Sequence, residues 1–162
     1  MLLQAFRIIH QHMPAAAFVF AGDGPLREAL KREAAAMELG AHVHFTGPLD
    51  ANQVAAAYLG ADLFMFASQT ETQGLVSLEA MAGGLPIVAV DASGTNAVVV
   101  HGQTGFLTPP DPEALADAAL KVLQSPTLLE QFRREARQQA EQYSVTATAG
   151  RLVELYKSVI GR

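Results

Sequence analysis

Glu71 and Glu79 stand eight positions apart, with a glycine, Gly74, between them. Glu71 falls in the polar stretch Ser68 to Gln73, which follows the apolar run Leu63-Phe64-Met65-Phe66. Glu79 falls in the second turn of the helix-period segment from about Gly74 to Ala82. Carboxylates accept hydrogen bonds from hydroxyl groups, and a glycine lets backbone approach a ligand closely. A helix opening at Gly74 also leaves the N–H groups of Gly74, Leu75 and Val76 without intrahelical acceptors, at the end of the dipole that favours anions. Hydroxyls taken by carboxylates beside a diphosphate taken by amides describe a nucleotide sugar. Taken singly, each glutamate reads as an ordinary surface charge. The pair gains weight because spacing, glycine and flanking elements agree.

Those flanking elements repeat along the chain. Ala17-Phe18-Val19-Phe20-Ala21 is an unbroken apolar run ending at Gly22-Asp23-Gly24, as a strand buried on both faces reads. Pro25 suits a first helical position, and Leu26, Ala29, Leu30, Ala34 and Met37 mark one helical face before Gly40. Further strands are expected at His42–Thr46, Leu63–Phe66, Pro86–Val90 and Gly105–Leu107. Asp50 with Gln53 forms a capping-box pattern, and Asp111-Pro112-Glu113 is a helix start signal. Two more helices follow, one carrying Leu129, Phe132, Ala136 and Ala140, the last carrying Leu152, Leu155, Tyr156, Val159 and Ile160. Buried strands alternating with helices imply an α/β chain, a doubly wound Rossmann-like parallel sheet with helices on both faces. Residues 1–162 are expected to form a single nucleotide-sugar-binding domain, with the C-terminal helices 126–162 packing around it.

In such sheets ligands bind beyond the carboxyl ends of the strands. That singles out the loops Gly22–Pro25, Gly47–Asp50, Ser68–Gly74 and Asp91–Thr95. Gly22 and Gly24 begin a G-x-G-x-x-G pattern, but Arg27 stands at the third glycine, so a nicotinamide-cofactor site loses its support. No phosphate-binding G-x-x-x-x-G-K-[ST] loop is present. Asp23 reads as a turn residue, His10 and His12 as a solvated helix end, and the Arg133-Arg134-Glu135 run with Arg137 as a solvated helix face. His42 and His44 alternate with Val43 and Phe45 on one sheet face, with no third ligand nearby to make a metal site.

Composition narrows the function classes. The chain has 162 residues, half of them apolar and 17% charged, which is too hydrophobic for disorder. With no cysteine, disulfide frameworks, thiolate metal sites and cysteine nucleophiles drop out. A net charge of −5 argues against nucleic acid as a partner and supports membrane association only weakly. Met1 to Pro14 has no basic leader or small-residue cleavage site, and no apolar run approaches a membrane span, so a cytoplasmic location is expected.

The stretch from Ser68 to Pro86 resembles the E-x7-E signature of the family 4 retaining glycosyltransferases (group 1), enzymes of the two-domain GT-B fold. Phe18–Leu26 (FVFAGDGPL) resembles the family's G-[DE]-G-P segment, and Val43–Gly47 (VHFTG) its strand and base-binding loop. Ala61–Ser68 (ADLFMFAS) and Gly102–Pro109 (GQTGFLTP) resemble two further family segments. Together these cover nearly all of residues 2–124 in the family's order. The resemblance implies half of a GT-B architecture, its donor-binding domain. It places Glu71 by the donor sugar, as the catalytic position, and Glu79 on the ribose hydroxyls. The amides of Gly74, Leu75 and Val76 would face sugar and diphosphate, Leu49 the base, and Gly22 the neighbouring strand end. It implies no cofactor beyond the donor substrate and no metal.

Three departures from the family pattern stand out. Thr72-Gln73 replace the usual Gly-Phe before Gly74, and Ala97 stands where a G-G-x-x-E glutamate is usual. The third is that the strand and G-R…K segment whose cations neutralise the diphosphate would precede Leu2. The expectation is therefore a domain with its first strand missing, inactive by itself, whose partners are a nucleotide sugar, an N-terminal acceptor domain and a second copy pairing through the incomplete sheet. Two alternatives stay open. One is a non-catalytic α/β module with vestigial nucleotide binding or an assembly role. The other is a sugar-nucleotide epimerase of the same architecture, whose motifs match Glu71–Glu79 less well.

Overall fold

The computed structural model describes residues 1–161; Arg162, the last residue of the expected single domain, lies outside the described residues. Helices and strands alternate as far as Leu123, and two more helices follow among the described residues: α1 (Leu2–His12), β1 (Phe18–Phe20), α2 (Arg27–Ala36), β2 (Val43–Phe45), α3 (Ala51–Gly60), β3 (Phe64–Phe66), α4 (Leu75–Ala82), β4 (Ile87–Val90), α5 (Ser93–Asn96), β5 (Gly105–Thr108), α6 (Pro112–Leu123), α7 (Pro126–Glu141) and α8 (Val145–Ile160). All strand pairings are parallel, and helices connect the strands. This is the α/β architecture expected.

The strands form two ladders: β1 with β2, and β3-β4-β5 in that order. No pairing joins β1 to β3 among the described residues. The break falls where the order 3-2-1-4-5-6 of doubly wound sheets puts its first strand. All four residues of β4 are buried. Because side chains alternate across a strand, Val88 and Val90 enter a core with α1, α2, β2 and α6, whereas Ile87 and Ala89 enter a second core with α4 and α7. The first core spans both ladders. Leu3, Phe6 and Ile9 of α1 meet Leu115, Ala116 and Ala119 of α6 there.

Local signals act as the residue types demand. The Asp50 carboxylate accepts from the Gln53 N–H at 2.9 Å while the Gln53 side chain accepts from the Asp50 N–H at 2.9 Å, a complete capping box. Asp111 caps α6 by accepting from the Ala114 N–H. Four readings need correction. His10 is half-buried with its ring 4.2 Å from that of His42, so only His12 is a solvated end. The Arg133 run is partly tied down, with Arg133 donating to Asp62 at 2.6 Å. A short helix, α5, occupies Ser93–Asn96, where only a loop is expected. Finally, α7 buries Phe132, Ala136 and Ala140, but α8 buries nothing, so the helices of 126–162 do not all pack around the domain.

Candidate functional site

Within each ladder the strands are parallel, so the loops that follow them lie at one end of that ladder. They interlock in two pairs. Gly22, after β1 and at φ +115°, forms a β-bridge to Gly47, after β2. The Gly22 N–H donates to the Thr46 hydroxyl at 3.1 Å, and that hydroxyl donates to the Gly47 carbonyl at 2.8 Å. Arg27 lays its guanidinium over Gly47, 3.7 Å from where a Cβ would stand, and meets Asp23 at 3.6 Å. Asp23 also accepts from the Gly24 N–H, which fits its reading as a turn residue. Leu49 is half-buried just ahead of the α3 cap.

The second pair carries the glutamates. Glu71 turns its carboxylate back on its own loop. Its Oε1 accepts from the N–H groups of Thr72 at 3.1 Å and of Gln73 and Gly74, both at 3.0 Å. These bonds, the one from Gln73 first and then that from Gly74, hold the carboxyl below the usual range, because they stabilise only the ionised form. Glu71 is therefore a fixed negative charge near neutral pH. Gly74 is the N-cap of α4 in the left-handed region, φ +68°, where glycine is favoured. A Cβ there would stand 2.5 Å from the Gly94 carbonyl oxygen. In return the Gly94 N–H donates to the Glu71 carbonyl at 3.0 Å, and a Cβ on Gly94 would strike Glu71 backbone at 2.6 Å. Thus α5, absent from the sequence reading, clamps the Glu71 loop. The Asn96 amide tightens it by donating to Asp91 at 2.9 Å.

Of the three amides expected to face an anion, Gly74 is already engaged by Glu71; those of Leu75 and Val76 have no acceptor among the described residues. Glu79 lies exposed one turn further along α4, and the phenol of Tyr58 on α3 donates to its Oε2 at 3.5 Å. Burial, and then the Glu79 charge, raise the Tyr58 pKa above its ordinary value. No spacing rule links residues 21 positions apart, so sequence reasoning missed Tyr58; its isolation in the small-residue run Ala55-Ala56-Ala57 was the only signal.

With this geometry in view, the family model described as "Glycosyl transferases group 1" matches residues 1–139. The chain belongs to that family. It is 33% identical over 154 residues to the sulfoquinovosyl transferase SQD2 of Arabidopsis thaliana, covering 93% of this chain and 29% of the plant protein. It is 36% identical over 166 residues to the D-inositol 3-phosphate glycosyltransferase of Corynebacterium urealyticum, covering 98% of this chain and 39% of that one. Among solved structures, Anabaena HepE in complex with UDP-glucose superposes with a TM-score of 0.83 at 25% identity, over 97% of this chain and 44% of HepE. The chain thus spans less than half the length of each of these three proteins. Its architecture is that of the C-terminal domain of GT-B glycosyltransferases.

Proposed function

We propose that this chain is the donor-binding domain of a retaining, family 4 glycosyltransferase that moves a hexose from a nucleotide sugar to an acceptor, and that it is inactive by itself. The observation that carries the reading is the disposition of Glu71 and Glu79 about the start of α4, in a member of the group 1 family. Glu79 accepts from the ribose hydroxyls, and Leu49 borders the base beside Gly22. The amides of Leu75 and Val76 receive the diphosphate, whose charge grows as it leaves, so donors fixed beforehand lower the barrier. Glu71, ionised and held by its own loop, keeps negative charge beside the sugar carbon that becomes cationic. No metal enters this scheme. UDP is the first nucleotide to try, since HepE was solved with UDP-glucose. Acceptor binding and the diphosphate cations are assigned to polypeptide outside these residues, in a cytoplasmic enzyme. No helix among the described residues is long and apolar enough to cross a membrane.

A second reading, a non-catalytic α/β module with vestigial nucleotide binding or an assembly role, draws for the latter on the unpaired edges of β1 and β3. A second copy of the chain, or the remainder of a longer polypeptide, would supply the strand between them. Calorimetric titration with UDP, GDP, ADP and their hexose conjugates separates the two. Saturable binding of one nucleotide, abolished in Glu79→Ala, supports the donor site; no binding at millimolar concentration, or equal binding by the variant, favours the second reading.

A further inference from the structure

We propose that Tyr58 is a positioning residue for Glu79: its phenol, by donating to one carboxylate oxygen, fixes the direction in which Glu79 offers the other to the ribose. The inference rests on the reading of Glu79 given above.

Tyr58 lies near the end of α3 and Glu79 in the second turn of α4, and the phenol spans the gap between them. At 3.5 Å the hydrogen bond is long, but the ring that makes it has little freedom. Phe64 of β3 meets the ring edge-on, with centroids 5.9 Å apart. Gly83, just past α4, closes so tightly that a Cβ there would stand 2.9 Å from the Tyr58 Cβ. The half-buried tyrosine is thus held by strand and helix end, whereas Glu79 is exposed and its Oε1 has no partner among the described residues. An exposed glutamate samples many rotamers, and ordering it on binding costs conformational entropy. A donor already seated against one oxygen removes part of that cost and leaves the other aimed outward. A tyrosine phenol is protonated at neutral pH, and burial and the neighbouring charge raise its pKa further, so it is a donor there. Glu79 alone could bind a diol; Tyr58 makes it bind without first being ordered.

The test is calorimetry on the chain with UDP and with 2′,3′-dideoxy-UDP, using wild type, Tyr58→Phe, Glu79→Ala and the double variant. Tyr58→Phe keeps the ring and its packing and removes only the hydroxyl. It should weaken UDP binding roughly three- to tenfold, the range of one hydrogen bond, leave the dideoxy ligand unchanged, and add nothing to Glu79→Ala. Equal losses for both ligands, or none, overturn the positioning role while Glu79→Ala still weakens UDP. If wild type binds no UDP, or Glu79→Ala binds it normally, the donor-site reading fails and the proposal fails with it. A second measurement needs no ligand. In 13C-tyrosine NMR, Glu79→Ala should bring the Tyr58 titration midpoint down; an unmoved midpoint overturns the contact itself.

Discussion

Glu71 shows how a side chain can be placed by the backbone it belongs to. Three amide bonds to one oxygen fix its rotamer and favour its ionised form. The consequence for stability has a definite sign. A carboxyl whose folded pKa lies below its unfolded value, about 4.3 for glutamate, contributes stability that is complete above that value and lost as pH falls through the folded pKa. Urea midpoints of wild type and Glu71→Gln should therefore differ at pH 7, with wild type the more stable, and converge as pH falls below about 4. A gap that persists at low pH would mean the carboxylate charge is not what holds the loop. Gly94 makes a sharper prediction. A methyl group there meets Glu71 backbone rather than a flexible tip, so Gly94→Ala should cost about 1–3 kcal/mol and shift the amide resonances of residues 71–74. Normal stability with unmoved resonances would refute the clamp. That Glu71 lies in the strand-end loop and Glu79 in the second turn of α4 was legible in the sequence, because spacing, glycine and strand context are local. The self-capping of Glu71 and the grip of Gly94 were not, because a side chain returning to its own loop, or one glycine set against another loop, leaves no periodic trace.

At the scale of elements, legibility followed the length and chemistry of the signal. The strands emerged from short apolar runs to within a residue or two, and the α3 and α6 starts from Asp50 and Asp111, whose side chains do cap them. The four-residue α5 contains Ser93 and Gly94, poor helix formers, and is closed by tertiary bonds to Glu71 and Asp91 rather than by propensity. The last helix was legible as a helix but not as an unpacked one, since an apolar stripe says only that something should cover it. Leu155 and Tyr156, each 59% exposed, and Val159, 65% exposed, stand on that stripe. Truncation after Ser144 should therefore leave the unfolding free energy from urea titration within about 0.5 kcal/mol of wild type, as expected where no buried group among the described residues is removed. A larger loss would show that α8 does pack on this domain in solution. Asp50→Ala, by contrast, removes a capping box and should cost about 1 kcal/mol in the same assay.

The whole molecule turns on how two ladders of strands are kept together with no pairing between them among the described residues. The load falls on α1, whose Leu3, Phe6 and Ile9 are buried against α6, while the Phe6 ring lies 5.3 Å from that of Phe18 on β1. Through that ring the β1–β2 ladder is connected to the α6 side of β3-β4-β5. β4 depends less on that joint, being paired on both edges within its own ladder and buried on its second face by α4 and α7. Stability should accordingly be uneven, with the smaller ladder opening at lower free energy than the larger. Phe6→Ala removes the joint at a cost of about 3–5 kcal/mol, the usual range for a buried phenylalanine. Native-state hydrogen exchange should then show protection lost first at Phe20 and His44, whose N–H groups bond across the β1–β2 ladder, while Val88 and Ala89 exchange only on global unfolding. Uniform loss across both ladders would mean that they form one cooperative unit without a joining strand. Adding a polypeptide that pairs with the facing edges of β1 and β3 should reverse the pattern, raising protection at Val19 more than at Val88, because only the smaller ladder depends on what fills the break.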